Sequence, residues 1–219
     1  MRQSSLWLEC SFLCHRRVMT NPDAPVRYLG ILLFDHVEEL DAIGPWEVFA
    51  YWTRSFPGDG YAVTTFSAGG RPVTCAKSLV VQPHHSFATV PPLDVLVHPG
   101  GDTDPMLEDP VHLEWLREQR RQVPLMTSVC TGSTVFAAAG LLRGRPATSH
   151  HNAVDLLCQL DPTITPQPDQ RYVDDGDVIT AAGISAGIDM AFHIIGRLAG
   201  PDRARQIREG VEYDPEPVR

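Results

Sequence analysis

The segment Thr127-Ser128-Val129-Cys130-Thr131-Gly132-Ser133 carries the strongest chemical signal in this 219-residue chain. An apolar run stops at a cysteine, and a run of small residues begins at once. That pattern predicts a strand, a sharp turn and a helix, the arrangement of a nucleophile elbow. Such a turn presents its side chain at the carboxyl edge of the sheet, where open α/β folds place ligands. The helix N-terminus contributes roughly half a positive charge, which favours a thiolate, and Gly132 lets the backbone pass closely. The chemistry is attack by sulfur on a small electrophile. The competing reading of Cys130 is a buried structural cysteine, as free cysteines often are.

Two further segments could complete a site. Pro99-Gly100-Gly101 ends another short apolar run, and glycines there would let backbone N–H groups face a ligand as an oxyanion hole requires; an ordinary strand-to-helix turn reads the same way. In Glu38-Glu39-Leu40-Asp41-Ala42-Ile43-Gly44-Pro45, Asp41 has apolar neighbours, which would raise its pKa and suit it to proton transfer. A helix N-cap is the alternative role for Asp41. The histidines include His84-His85, His150-His151 and His193. None has a second ligand at HExxH-like spacing; His150 could face the same edge as Cys130, or simply be hydrogen-bonded.

The elements that must position these residues follow from periodicity. Val26–Phe34 and Asp94–His98 are nearly continuous apolar runs, as in parallel strands buried on both faces. Leu125–Val129 is a further strand, and Tyr61–Ser67 and Leu79–Gln82 alternate like strands. DHVEELDAIG reads as a loop, with a helix starting at Pro45 in its first turn. Pro110–Gln122 is helical, with Val111, Leu113, Trp115 and Leu116 on its apolar side. Thr131–Leu142 is a small-residue helix closed near Gly144. Beyond a short strand at Pro146–Ser149, helices are expected over His151–Leu160, Ile184–Leu198 and Asp202–Val211. Arg171–Asp174 and Val178–Ala181 form a hairpin about Asp175-Gly176. Strands alternating with helices mean βαβ units and a mostly parallel, doubly wound sheet with helices on both faces. No glycine-rich phosphate loop follows any strand.

Composition bounds the function. Hydrophobic residues are 43% and charged residues 21% of the chain, an ordinary globular balance. A net charge of −9 argues against a nucleic-acid surface, which needs a basic stripe. The five cysteines, an odd number widely spaced, do not read as a disulfide framework, and no CxxC pair suggests zinc. No apolar run approaches the roughly 20 residues that cross a bilayer. These features point to a cytoplasmic protein. Residues 1–25 read as a disordered extension before one domain over 26–219: the charges of MRQSSLWLECSFLCHRRV follow its apolar stretch, the wrong order for a signal peptide, and Met19 offers a natural start.

Taken together, these segments resemble the DJ-1/PfpI superfamily. Phe34–Asp41 with Gly44-Pro45-Trp46-Glu47-Val48 resembles its acidic loop. Leu107–Pro110, Ser128–Gly132, Ala138–Leu142 and Ala182–Asp189 match in order, so the resemblance covers roughly residues 26–215. Within the superfamily the chain most resembles isocyanide hydratases. It has Asp41 where the DJ-1-like and protease-like branches carry Glu, and Thr131 where PfpI-type proteases carry His; the ending Glu212–Pro217 is also similar. The resemblance implies a flavodoxin-like core, a homodimer, a small-molecule substrate, and neither metal nor organic cofactor. It departs from the pattern at Asp102, which follows the Gly-Gly turn, and at Ala182, where a glycine is usual. The extra methyl of Ala182 would trim the pocket or restrict the helix beginning near Ile184.

On this resemblance the expected reaction is hydration of an isocyanide to an N-formamide through a covalent thioimidate. Cys130 is the nucleophile and Asp41 its acid–base partner. Gly101 and Thr131 supply backbone N–H groups, and the Thr131 hydroxyl orients Asp41 or water. Gly100, Ala182 and Gly183 line the pocket. An ionised Asp41 would oppose a thiolate, so the pair is expected to share one proton, with Asp41 neutral. Two alternatives stay open: a glyoxalase- or deglycase-like hydrolase of the same superfamily, and a non-catalytic sensing domain related to AraC-type regulators.

Overall fold

The structure, a computed structural model, describes residues 25–214. The expected extension therefore lies almost wholly outside the described residues, as does the end of the polar tail. The strands are β1 (Arg27–Leu32), β2 (Tyr61–Ser67), β3 (Val73–Thr74), β4 (Val80–Val81), β5 (His85–Ser86), β6 (Val95–His98), β7 (Leu125–Val129), β8 (Pro146–Ala147), β9 (Thr165–Pro166), β10 (Tyr172–Asp174) and β11 (Val178–Ala181). The helices are α1 (Glu39–Ser55), α2 (Asp104–Leu107), α3 (Pro110–Gln122), α4 (Gly132–Ala138), α5 (Val154–Leu160), α6 (Ala186–Ala199) and α7 (Pro201–Gly210).

Seven strands form the main sheet in the order β10-β11-β7-β6-β1-β2-β5. Every pairing in it is parallel except the hairpin β10–β11. All residues of β6, β7 and β11 are buried, as strands covered on both faces must be. One core layer packs α1, α6 and α7 against the sheet through Phe49, Trp52, Met190, Ile194 and Ile207. The other packs α3, α4 and α5 through Leu113, Leu116, Phe136 and Leu157. This is the doubly wound, flavodoxin-like arrangement expected. The chain leaves β1 toward β2 and later returns to β6 on β1's other side. Strand order thus reverses at β1–β6, the place where such sheets open a ligand crevice.

Several expected boundaries move. The helix read as starting at Pro45 begins six residues earlier at Glu39, with Glu38 as its N-cap. Pro45 therefore sits inside α1, where it cannot donate to the carbonyl of Asp41. Its ring packs closely enough on α6 that a Cβ on Gly187 would lie 3.1 Å from it. Leu79–Gln82 gives only β4, paired with β3 outside the main sheet. The small-residue helix α4 stops at Ala138 because Gly140 takes φ 78°. Pro146–Ser149 shrinks to β8, which pairs with β9. Val111 is 77% exposed, out of phase with buried Leu113 and Leu116.

Candidate active site

Four strand ends deliver the site. Asp41 follows β1, Gly100 and Gly101 follow β6, Cys130 follows β7, and Ala182, Gly183 and Ile184 follow β11. Cys130 takes φ 58°, a left-handed conformation rare for a residue with a Cβ. Its N–H donates to the carbonyls of Ala181 and Ala182 at 3.1 and 3.0 Å. Its carbonyl accepts the Ser133 and Ser149 hydroxyls at 3.1 and 3.2 Å. The elbow is thus pinned on both sides, and its strain is balanced by these bonds. Cys130 is 6% exposed, while Thr131, Gly101, Ala182, Gly183 and Ile184 are half-buried around it.

Asp41 is fully buried in the first turn of α1. It is not the N-cap; its Oδ2 accepts the Gly100 N–H at 3.0 Å, and its Oδ1 has no partner. Burial lifts its pKa from 3.8 to about 7, against the Gly100 N–H, which lowers it; Glu38 adds a smaller upward push. Burial likewise pushes the Cys130 thiol up to about 12, and the Asp41 charge adds to that. The N–H groups of Ile184 and Thr131 pull the thiol the other way. The carboxyl and thiol each shift the other through side-chain hydrogen bonding, yet no aligned bond closes on Oδ1.

Burial raises both the Asp41 carboxyl and the Cys130 thiol, so the two compete for one proton and titrate as a coupled pair. This geometry corrects two expectations. The Gly101 N–H does not face a ligand; it donates to Thr131 Oγ1 at 3.0 Å. The Thr131 hydroxyl does not orient Asp41; it donates back to the Gly101 carbonyl at 3.1 Å. Only the Thr131 backbone N–H reaches the sulfur, and its companion there is Ile184, which the sequence reading missed. Ile184 takes φ 40°, unusual for a β-branched residue. The run Gly183-Ile184-Ser185 before a helix was a cue to a second turn facing the elbow.

The glycines are close-packed rather than roomy. A Cβ on Gly100 would lie 2.6 Å from the Thr131 nitrogen and 2.9 Å from Asp41 Oδ2. One on Gly183 would lie 2.6 Å from the His150 ring. His150 itself accepts the Asn152 N–H on Nδ1 at 3.2 Å, the ordinary hydrogen-bonded role. Among the described residues no group of three or more His, Cys, Asp or Glu side chains could hold a metal ion, and no helix is long and apolar enough to cross a membrane.

Comparison with known proteins places the fold in a family. The chain is 40% identical to an isonitrile hydratase of Pseudomonas putida over 191 residues, 86% of this chain and 79% of that one. It is 32% identical to the HTH-type transcriptional regulator CdhR of Pseudomonas aeruginosa over 70% of this chain, but spans only 46% of that protein. Among solved structures, a ThiJ/PfpI family protein from Pseudomonas syringae superposes with a TM-score of 0.76 at 30% identity, over 88% of this chain and 77% of that one. The DJ-1/PfpI family model matches residues 29–197, and the chain belongs to the DJ-1/PfpI family.

Proposed function

We propose that the protein is a cofactor-independent, cysteine-dependent isocyanide hydratase, a lyase that converts R–N≡C to R–NH–CHO. The observation that carries the reading is the pairing of Cys130 with a buried carboxyl whose Oδ1 has no partner. The carboxyl, which acts on the thiol through side-chain hydrogen bonding, is the acceptor for the thiol proton in this reading. Similarity to an isonitrile hydratase supports the choice of substrate class.

In the first step the Cys130 sulfur bonds to the terminal carbon of the isocyanide. Its proton passes to Asp41 Oδ1, and Asp41 hands it to the lone pair of that same carbon. The product is a thioimidate, R–N=CH–S–Cys130, and nothing is oxidised or reduced. Water then adds across C=N, with Asp41 taking a proton from the water and passing it to the nitrogen. Collapse to the formamide breaks the C–S bond and returns a proton to sulfur through Asp41. The Thr131 and Ile184 N–H groups hold charge on sulfur as it develops and leaves. The carboxylate is the working base, so the pKa near 7 leaves it about half ionised at neutral pH.

The reading includes a homodimer, detectable as a mass near twice 24.2 kDa by light scattering. It also places the protein in the cytoplasm, where a reducing medium keeps Cys130 a free thiol. The deciding experiment supplies purified protein with a simple aryl isocyanide and, separately, with methylglyoxal. Formamide from the wild type and none from Cys130→Ala is the expected result. Lactate instead points to the glyoxalase-like reading, and silence from both to a ligand-sensing role.

A further inference from the structure

Two histidines behind the site are not used by the chemistry above. His98, the last residue of β6, is fully buried. Its Nδ1 lies 2.8 Å from the Pro99 carbonyl, and its Nε2 lies 3.1 Å from Nε2 of His112 on α3. Phe34 and Phe136 pack on the ring with centroids 5.8 Å away. A nitrogen facing a carbonyl must carry the hydrogen, so Nδ1 of His98 is the donor. In a neutral ring Nε2 is then a bare acceptor, and His112 must donate to it from its own Nε2. Both tautomers are fixed by this one chain of bonds. Burial keeps the rings neutral, with the His98 pKa down at about 3 and that of His112 lowered.

Pro99 has no N–H, so its buried carbonyl is its whole backbone polarity. The next residue is Gly100, whose N–H holds Asp41. We propose that His98 is a positioning residue for Asp41, acting through the Pro99–Gly100 turn, and that His112 locks the ring form in which it does so. The inference rests on Asp41 serving Cys130 as the base. Without the His112 donor, His98 can move its hydrogen to Nε2, which leaves two acceptors facing each other at Pro99. The turn then shifts, and Gly100 loses Oδ2.

The groups facing Asp41 are Cys130 from the β7–α4 elbow, Gly100 N–H from the β6 turn, Glu38 from its own helix and Lys77 from the β3–β4 hairpin. Of these only the Gly100 bond depends on His98. Asp109 is the carboxylate acting on His112.

The test is the pH dependence of Cys130 alkylation by iodoacetamide, which needs no isocyanide. A failure of the hydratase reading would therefore leave this measurement intact. His112→Leu is expected to move the inflection upward by about one unit, which slows alkylation at pH 7 by roughly fivefold. His112→Gln, which can still donate to His98, restores the wild-type profile. His112→Met repeats the measurement if the leucine variant does not fold. An unchanged profile in a folded apolar variant, a shifted profile in His112→Gln, or failure of both apolar variants to fold overturns the inference, because a purely structural role then suffices.

Discussion

Asp41 gives Oδ2 to the Gly100 N–H at 3.0 Å and keeps Oδ1 buried with no hydrogen-bond partner. A buried acceptor left unsatisfied costs about 1–3 kcal/mol, so the site stores a cost that a proton from the thiol, or a substrate, would relieve. The backbone bond decides where the carboxyl sits. The empty oxygen decides what it can do.

Replacing that carboxyl should stabilise the fold at high pH. Asp41 has a folded pKa of about 7 against 3.8. Between those values the folded state binds more protons than the unfolded state, so stability falls as pH rises through the window. Asp41→Asn removes the titration. It should match the wild type near pH 4 and exceed it at pH 8, by at most about 4 kcal/mol. Denaturation midpoints at the two pH values measure this, and equal wild-type stability at both would sink the argument. Turnover should be lost in the same variant.

The rate should carry the same signature in the opposite sense. The working form is the thiol with an ionised Asp41, so kcat/KM should rise through about pH 7 and then level off. The Cys130 thiol, at about 12, contributes no fall below about pH 10. Cys130→Ala should fold and show no formamide. A profile flat from pH 5 to 8 would remove Asp41 as the base.

Much of this site was legible because spacing encodes it. A strand that stops at Cys130 and a helix that starts at Gly132 can meet only in a tight turn, and the structure gives Cys130 φ 58°. The apolar runs of β1, β6 and β7 announced buried parallel strands. What could not be read is which backbone donor meets which acceptor. Gly101 looked like an N–H held open for a ligand, but the hydroxyl of Thr131, thirty residues on, takes it. Pro45 looked like a helix start because proline is usual there; in the structure it lies inside α1, packed against Gly187 of α6. His98 was absorbed into a strand, and nothing local marks its contact with His112.

Glycine-to-alanine changes should act with opposite sign at two positions. At Gly100 the new methyl meets backbone nitrogen at 2.6 Å and Asp41 at 2.9 Å. Overpacking of this kind costs about 1–3 kcal/mol, and displacement of Asp41 should cut turnover by at least about tenfold. At Gly196, inside α6, the nearest atom is Ala204 Cβ at 3.7 Å, ordinary contact. Helix propensity there favours alanine by about 0.5–1 kcal/mol. Thermal melts of both variants check the pair, and a stable, active Gly100→Ala would show that the turn has room the geometry denies.

Thr131 separates a hydroxyl that braces the turn from an N–H that serves the sulfur. Its Oγ1 accepts from and donates to Gly101, at 3.0 and 3.1 Å. Gly101 has φ 130°, which a side chain would not tolerate, and a Cβ there would meet the His36 carbonyl at 2.3 Å. Thr131→Val removes both bonds while keeping the shape. It should destabilise by about 1–3 kcal/mol, the cost of the Gly101 N–H losing its partner, while the Gly101 carbonyl keeps the Thr103 N–H. Thr131→Ser keeps the hydroxyl and should lose much less. Because the backbone N–H remains in either variant, Cys130 alkylation at pH 7 should change far less in Thr131→Ser than stability changes in Thr131→Val. If the serine variant lost reactivity while the valine variant stayed as stable as the wild type, the hydroxyl would be acting at the reacting atoms and not on Gly101.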